Sequence, residues 1–323
     1  MVEHASRLRV RTFVIVIVIV VAATALAGCS LRTMAVNAVL PTLVNPAVYL
    51  SEEDPELVRD SLPFLLKTIE SIIEADPARQ DVLLFANTGF VLYANAFLQA
   101  DAAIAEWDDY DLALELNERA RRMYLRARDY GLRNVEVAHP GITARLQSDP
   151  EAAVQVFEPE DVESLYYLGG AWMLAISLGL DRPGLVADLP AARAVLDRAL
   201  ELDESFERGA LHSAFVTLES VGEAMGGSYA RAREHFARAV ELSDGQDAGP
   251  YLALAAGVSI AEENREEFRD LLKTALAIDP DEAPESRLLN LIAQKRARVL
   301  LDHIDDLFFE PFDELDEELE NRP

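Results

Sequence analysis

The chain has 323 residues, half of them hydrophobic, and 57 acidic against 29 basic side chains give a formal net charge of −28. That balance argues against nucleic acid as a partner, because such binding runs on cationic groups that release counterions. The hydrophobic content argues against wholesale disorder, and a single cysteine, Cys29, leaves no partner for a disulfide and no cysteine-ligated metal site.

In chain order, the first element is an export signal. Arg7, Arg9 and Arg11 precede Thr12 to Ala27, 16 residues without a charge, and then Leu26-Ala27-Gly28-Cys29. A positive segment, a short apolar run and a small-residue cleavage site define such a signal, and the run falls short of the roughly 20 residues of a spanning helix. The tetrad resembles the lipobox of bacterial lipoproteins. It predicts cleavage before Cys29, a diacylglycerol on the Cys29 sulfur and an acyl group on the freed amine, several chains being needed for stable anchoring. The other reading is an uncleaved anchor helix. Cleavage removes Glu3, Arg7, Arg9 and Arg11 and leaves 26 basic and 56 acidic side chains on 295 residues. An anionic membrane surface repels such a body, so lipid has to do the tethering. Residues 29–50 are then an anchored lead-in, 51–309 a helical domain and 310–323 an acidic tail.

From residue 51 onward Ala, Leu, Glu and Arg dominate, the strong helix formers, and no run alternates as a strand does. Breaks are expected at Asp54-Pro55, Asp76-Pro77, Gly131, Asp149-Pro150, Glu158-Pro159, Arg182-Pro183-Gly184, Gly226-Gly227, Gly249-Pro250 and Asp279-Pro280. A Pro just after an acidic or polar cap is a helix start. The predicted class is all-α, a series of antiparallel helix pairs.

A spacing recurs along these pairs. Ala232, Phe236, Ala239 and Asp244 have offsets of 4, 3 and 5, repeated in Phe268, Leu272, Ala275, Pro280, in Ala192, Leu196, Ala199, Glu204 and in Leu65, Ile69, Ile72, Pro77. Ala120, Tyr124, Ala127, Leu132 is a weaker copy. Offsets of 4 and 3 share one helical face; a small residue admits the neighbouring helix and a large one fills the gap. The pattern resembles the second helix of a tetratricopeptide repeat, and such arrays form concave binding surfaces. A generic helical bundle shows the same spacing. Between Pro77 and Glu204 there is room for about three more helix pairs.

The catalytic motifs are missing. No H-E-x-x-H, G-x-S-x-G, P-loop or G-x-G-x-x-G occurs, and His139, His212, His235 and His303 are scattered. Neither Asp108-Asp109-Tyr110-Asp111 nor Ser243-Asp244-Gly245-Gln246-Asp247 meets the pattern of a calcium loop. No cofactor, metal or enzymatic activity is expected. One segment stands out, Leu165 to Leu178, apolar almost all round and carrying Gly169-Gly170 in mid-helix. Two glycines cost about 1 kcal/mol each there, which close helix approach or space for a ligand has to offset. Core packing is one reading. The other makes Tyr166, Tyr167, Gly169, Gly170 and Trp172 the lining of an apolar cavity. After Asp302, acidic residues interleave with Leu307, Phe308, Phe309, Phe312, Leu315 and Leu319, either a solvated tail or a docking segment.

The runs Tyr167-Leu168-Gly169-Gly170-Ala171-Trp172, Val186-Ala187-Asp188-Leu189-Pro190, Gly209-Ala210-Leu211-His212, Ala230-Arg231-Ala232-Arg233-Glu234-His235-Phe236 and Asn290-Leu291-Ile292-Ala293-Gln294 resemble the T component associated with TRAP (tripartite ATP-independent periplasmic) transporters, the TatT family. The similarity spans roughly residues 30 to 309. It implies a periplasm-facing lipoprotein of degenerate tetratricopeptide hairpins that associates with a solute-binding P component. It further implies a homotrimer with a pore or cleft through each subunit for a hydrophobic ligand, and no catalytic residues. The alternative function is a tetratricopeptide scaffold for cell-envelope assembly.

Overall fold

The computed structural model describes residue 40, residues 42–222 and residues 226–308. The export signal, Cys29 and the tail 310–323 lie outside the described residues. The body begins at Pro46, and among its described residues regular structure is helical throughout.

Ten helices carry the fold: α1 Pro55–Ala75, α2 Gln80–Ala105, α3 Tyr110–Ala138, α4 Val162–Ser177, α5 Leu189–Leu202, α6 Ala210–Glu219, α7 Tyr229–Leu242, α8 Ala248–Ser259, α9 Arg265–Ala277 and α10 Arg287–Asp302. Local chemistry sets several starts. Asp54, Asp109, Ser228, Asp247 and Asn264 each accept a hydrogen bond from a first-turn backbone N–H of α1, α3, α7, α8 and α9, each cap stabilising its helix by about 1 kcal/mol. Pro55 follows Asp54 at the first helical position, as the Asp-Pro signal predicts.

The 4,3 spacing marks the buried seams. Ala120, Tyr124 and Ala127 on α3, Ala192, Leu196 and Ala199 on α5, and Phe268, Leu272 and Ala275 on α9 are all buried. On α7, Ala232 and Ala239 are buried and Phe236 is partly covered; on α1, Leu65 and Ile69 are buried and Ile72 is partly covered. These seams join α2 to α3, α4 to α5, α6 to α7 and α8 to α9, and α3 also packs along α4.

Two departures from the sequence reading have clear causes. Gly131 does not break a helix but sits inside α3, where a Cβ would lie 2.6 Å from the end of the Asn87 side-chain amide and 3.1 Å from Leu168 Cδ1. The small residue there serves close approach of three helices. The stretch between Pro77 and Glu204 holds two long pairs rather than three, because α3 alone runs 29 residues, about 43 Å. Helix α2 is long and apolar enough to cross a membrane, yet 67% of its most apolar window is buried between its neighbours, which makes it a core helix. It contains a π-helical turn, Ala94–Gln99, and α8 contains another, Ala255–Ser259.

Helix α10 joins the last pair to the first. It packs on α8 and α9 and also touches α1, α2 and the short helix Ala47–Leu50. Arg287 Nη1 donates to the Ser51 carbonyl at 2.8 Å. Just past α10, the His303 ring stacks on Trp107 with centroids 4.0 Å apart and planes within 9°.

Candidate functional site

Helix α4 buries Leu165, Leu168, Ala171, Trp172, Ala175 and Ile176 and leaves Tyr166, Tyr167 and Gly170 partly accessible. The two tyrosine rings meet edge to face at 4.9 Å, and Tyr166 lies 5.4 Å from the Phe206 ring. The Tyr167 hydroxyl donates to the Glu207 carboxylate at 3.1 Å.

The loop that delivers Phe206 and Glu207 is strained. Glu207 (φ 43°) and Arg208 (φ 59°) are both in the left-handed region, followed by Gly209 at φ 91°. Consecutive non-glycine residues there cost energy through crowding of Cβ against the following carbonyl, so the surroundings must hold them. Arg208 Nη2 donates to the Ser243 carbonyl at 2.6 Å and to Gln246 Oε1 at 3.0 Å, and Nη1 pairs with Glu285. A Cβ on Gly209 would lie 2.9 Å from Leu242 Cβ, so α7 presses on the turn. Residues held in such regions cluster at functional sites.

Three carboxylates face the same tyrosines. Glu163 is one turn before Tyr167, and Glu207 and Asp247 act electrostatically on Tyr166. Glu163 and Glu207 are accessible to solvent, yet protein mass around them strips enough water to push both carboxyls up. Burial likewise raises Asp247, against the opposing pull of the Gly249 N–H it accepts from. Burial first, and then the Glu207 charge, raises both Tyr166 and Tyr167. The result is an aromatic patch with an acidic rim whose carboxyls are shifted upward by desolvation.

The five residues singled out on α4 divide. Tyr166 and Tyr167 reach this patch, and nothing lies within 4 Å of a Cβ built on Gly170. On Gly169 the same Cβ would fall 2.5 Å from Leu196 Cγ, so that glycine serves the approach of α4 and α5. Trp172 is buried, its indole N–H donating to Asp188 at 3.1 Å, with the Arg128 guanidinium 5.8 Å from its ring. Sequence reasoning missed Phe206, Glu207, Glu163 and Asp247, since no motif announces a left-handed Glu-Arg pair. His212 and His235, scattered in sequence, have their Nδ1 atoms 2.9 Å apart. No group of three or more metal-ligating side chains occurs among the described residues. A recess bounded by Lys67, Glu70, Tyr130 and Arg133 lies apart from the tyrosine patch, its Glu70 already pairing with Lys67 and accepting from Tyr130.

Comparison with known proteins adds the family. The model described as "TRAP transporter T-component" matches residues 51–308. An uncharacterized protein of Treponema pallidum (strain Nichols) is 31% identical over 304 residues, covering 88% of this chain and 94% of its own length. The match takes in every helix from α1 to α10 and the whole aromatic patch, and it associates the chain with a membrane transporter. On that coverage the chain belongs to the TRAP transporter T-component family.

Proposed function

We propose that this T component is a periplasm-facing lipoprotein, held by lipid on Cys29, that keeps the solute-binding P component of its transporter near the membrane and takes an apolar or amphipathic solute along its interior. The helix pairs are read as degenerate tetratricopeptide units, whose concave faces are binding devices. The observation that carries the reading is the Tyr166–Tyr167–Phe206 patch, partly accessible beside the open side of Gly170. Aromatic walls with a few polar tips are the ordinary lining of small-molecule sites. The acidic body agrees with tethering by lipid rather than by surface charge.

Mass spectrometry of material co-purified with the full chain from membranes tests partner and solute together. The expected result is a solute-binding protein at near-equal abundance and an apolar small molecule, with both mass and sedimentation indicating a trimer. Recovery of outer-membrane assembly proteins in place of a solute-binding protein overturns the transport reading. Cys29→Ala is expected to block processing and lipid labelling; unchanged processing overturns the lipoprotein assignment.

A further inference from the structure

Helix α10 buries Leu288, Ala293 and Ala297 in the C-terminal core, and its Asn290 and Gln294 bond backbone groups of the loops around α8 and α9. Another stripe of the same helix, Ile292, Arg296 and Val299, remains partly accessible. Three and four residues apart, these side chains share one face, with the guanidinium between two apolar neighbours.

Arg296 differs from the other enclosed arginines. Arg59 pairs with Asp101, Arg121 with Glu118, and Arg193 with Asp197 and Glu219. Arg296 has no carboxylate and no hydrogen-bond acceptor among the described residues, and its Nε is buried without a partner. Desolvation lowers its pKa, and Tyr124 opposes that shift. A guanidinium stays protonated even so, and an enclosed charge without a counter-charge is strongly unfavourable.

The groups around it are polar and ordered. Tyr124 is buried and donates to Gln99 Oε1 at 2.6 Å, and Asn95 reaches the same hydroxyl. Asn95 and Gln99 both belong to the π-helical turn of α2, a distortion that recurs at functional sites. Tyr124 on α3 and the two amides on α2 form one polar cluster, and α10, which carries Arg296, packs against the same α2.

We propose that Arg296, supported by Tyr124, Asn95 and Gln99, binds the singly charged oxyanion head of an amphipathic molecule whose apolar stem lies along Ile292 and Val299. One planar fork matches one carboxylate-like group bidentately. A dianion is disfavoured, because there is one cation and the body around it is acidic. The proposal rests on the reading that the interior takes up solute, and it assigns that solute a head group and a place to dock.

The test measures binding of octanoate and of octanol, the same stem without the charge, to the full soluble chain by calorimetry, with inorganic phosphate as a third probe. Octanoate is expected to bind at least tenfold more tightly than octanol, and phosphate not measurably. Arg296→Met is expected to remove the octanoate advantage, keep octanol binding and raise the Tm, since it deletes an uncompensated charge. Arg296→Lys is expected to retain part of the advantage, the charge remaining without the fork. Equal affinity for octanoate and octanol in the unaltered chain, or an advantage that survives Arg296→Met, overturns the anion site while leaving apolar uptake standing. Binding of neither probe overturns both. The comparison within the unaltered chain decides the matter even where a variant fails to fold.

Discussion

His212 and His235 place their Nδ1 atoms 2.9 Å apart, so one ring must hold a proton there for the other to accept it. His235 also stacks on Phe215 at 4.9 Å, and His212 Nε2 lies 3.2 Å from Glu204. Burial lowers the pKa of both, the Glu204 carboxylate opposing it at His212 and the His212 charge adding to it at His235. Below the ordinary histidine value the unfolded chain then binds more protons than the folded one, so stability falls as pH drops through that range. The raised carboxyls of Glu163, Glu207 and Asp247 act in the opposite sense, and only a difference between variants isolates the pair. His235→Phe is expected to flatten the decline of Tm between neutral pH and pH 5 while keeping the stack on Phe215. A parallel decline in both proteins would assign the acid sensitivity elsewhere.

Glu219 closes α6 with a wholly buried carboxylate held by two arginines, Arg193 Nη2 at 2.9 Å and Arg231 Nη2 at 2.7 Å. Arg193 reaches it from α5, tying the α4–α5 pair to the next one. Removing one partner of a buried ion pair costs about 3–5 kcal/mol when the other charge is stranded. Here the arginines are 35% and 49% exposed and recover water, so Glu219→Gln is expected to cost about 2–3 kcal/mol. A lower urea midpoint with an unchanged slope is the expected signature.

Two adjacent glycines on α4 are expected to answer oppositely to the same change. Gly169→Ala drives a Cβ to within 2.5 Å of Leu196 Cγ, an overpacking that costs about 1–3 kcal/mol and is relieved by a smaller residue at Leu196. Gly170→Ala meets nothing within 4 Å and gains up to about 1 kcal/mol of helix propensity. A larger residue, Gly170→Leu, is expected to keep the Tm while displacing apolar probes from the tyrosine patch. Thermal melts of the three variants separate packing from lining.

How much of this was readable beforehand follows from what each feature depends on. The seams at Ala192–Leu196–Ala199 and Phe268–Leu272–Ala275 depend on spacing within one helix, and the sequence carries that spacing openly. Gly131 misled because glycine marks a break and a close approach alike, and only the position of Asn87 on another helix tells them apart. Tyr166 and Tyr167 were visible as an aromatic cluster. Their partner Glu207 lies 40 residues on, in a left-handed conformation that neither Glu nor Arg signals. Trp172 could not be sorted from the tyrosines because α4 is apolar almost all round, and its direction is set by Asp188. The sequence offers no sign that Arg296 lacks a counter-charge among the described residues, because that is a property of the assembled helices alone.

Asn290 on α10 is expected to be a single point of failure for the last helix pair. Its side chain is fully buried; Oδ1 accepts from the Ala248 N–H at 2.8 Å and Nδ2 donates to the Gln246 carbonyl at 2.9 Å. Asn290→Leu is close in size and strands both backbone groups, which costs about 1–3 kcal/mol for each. Asn290→Asp keeps the acceptor and loses the donor, so it is expected to fall between. Hydrogen exchange at the Ala248 amide gives the local readout: rapid exchange in the Leu variant, protection in the parent.

The strain at Glu207 yields an expectation that sets stability against function. Its φ of 43° costs a non-glycine residue about 1–2 kcal/mol, and asparagine tolerates that region best after glycine. Its carboxylate is also desolvated and repelled by Glu163, offset only by the Tyr167 hydroxyl. Glu207→Asn is therefore expected to raise stability by about 1 kcal/mol, since the amide oxygen removes the repulsion and fits the turn. Tyr167→Phe is expected to do the reverse, removing the hydrogen bond that lowers the Glu207 pKa and so moving its titration upward. Carbon-detected NMR of the Glu207 carboxyl follows that shift directly. If Glu207→Asn is more stable yet binds apolar probes less well, the strained loop is retained for the patch it builds; unchanged binding would make the strain a packing consequence alone.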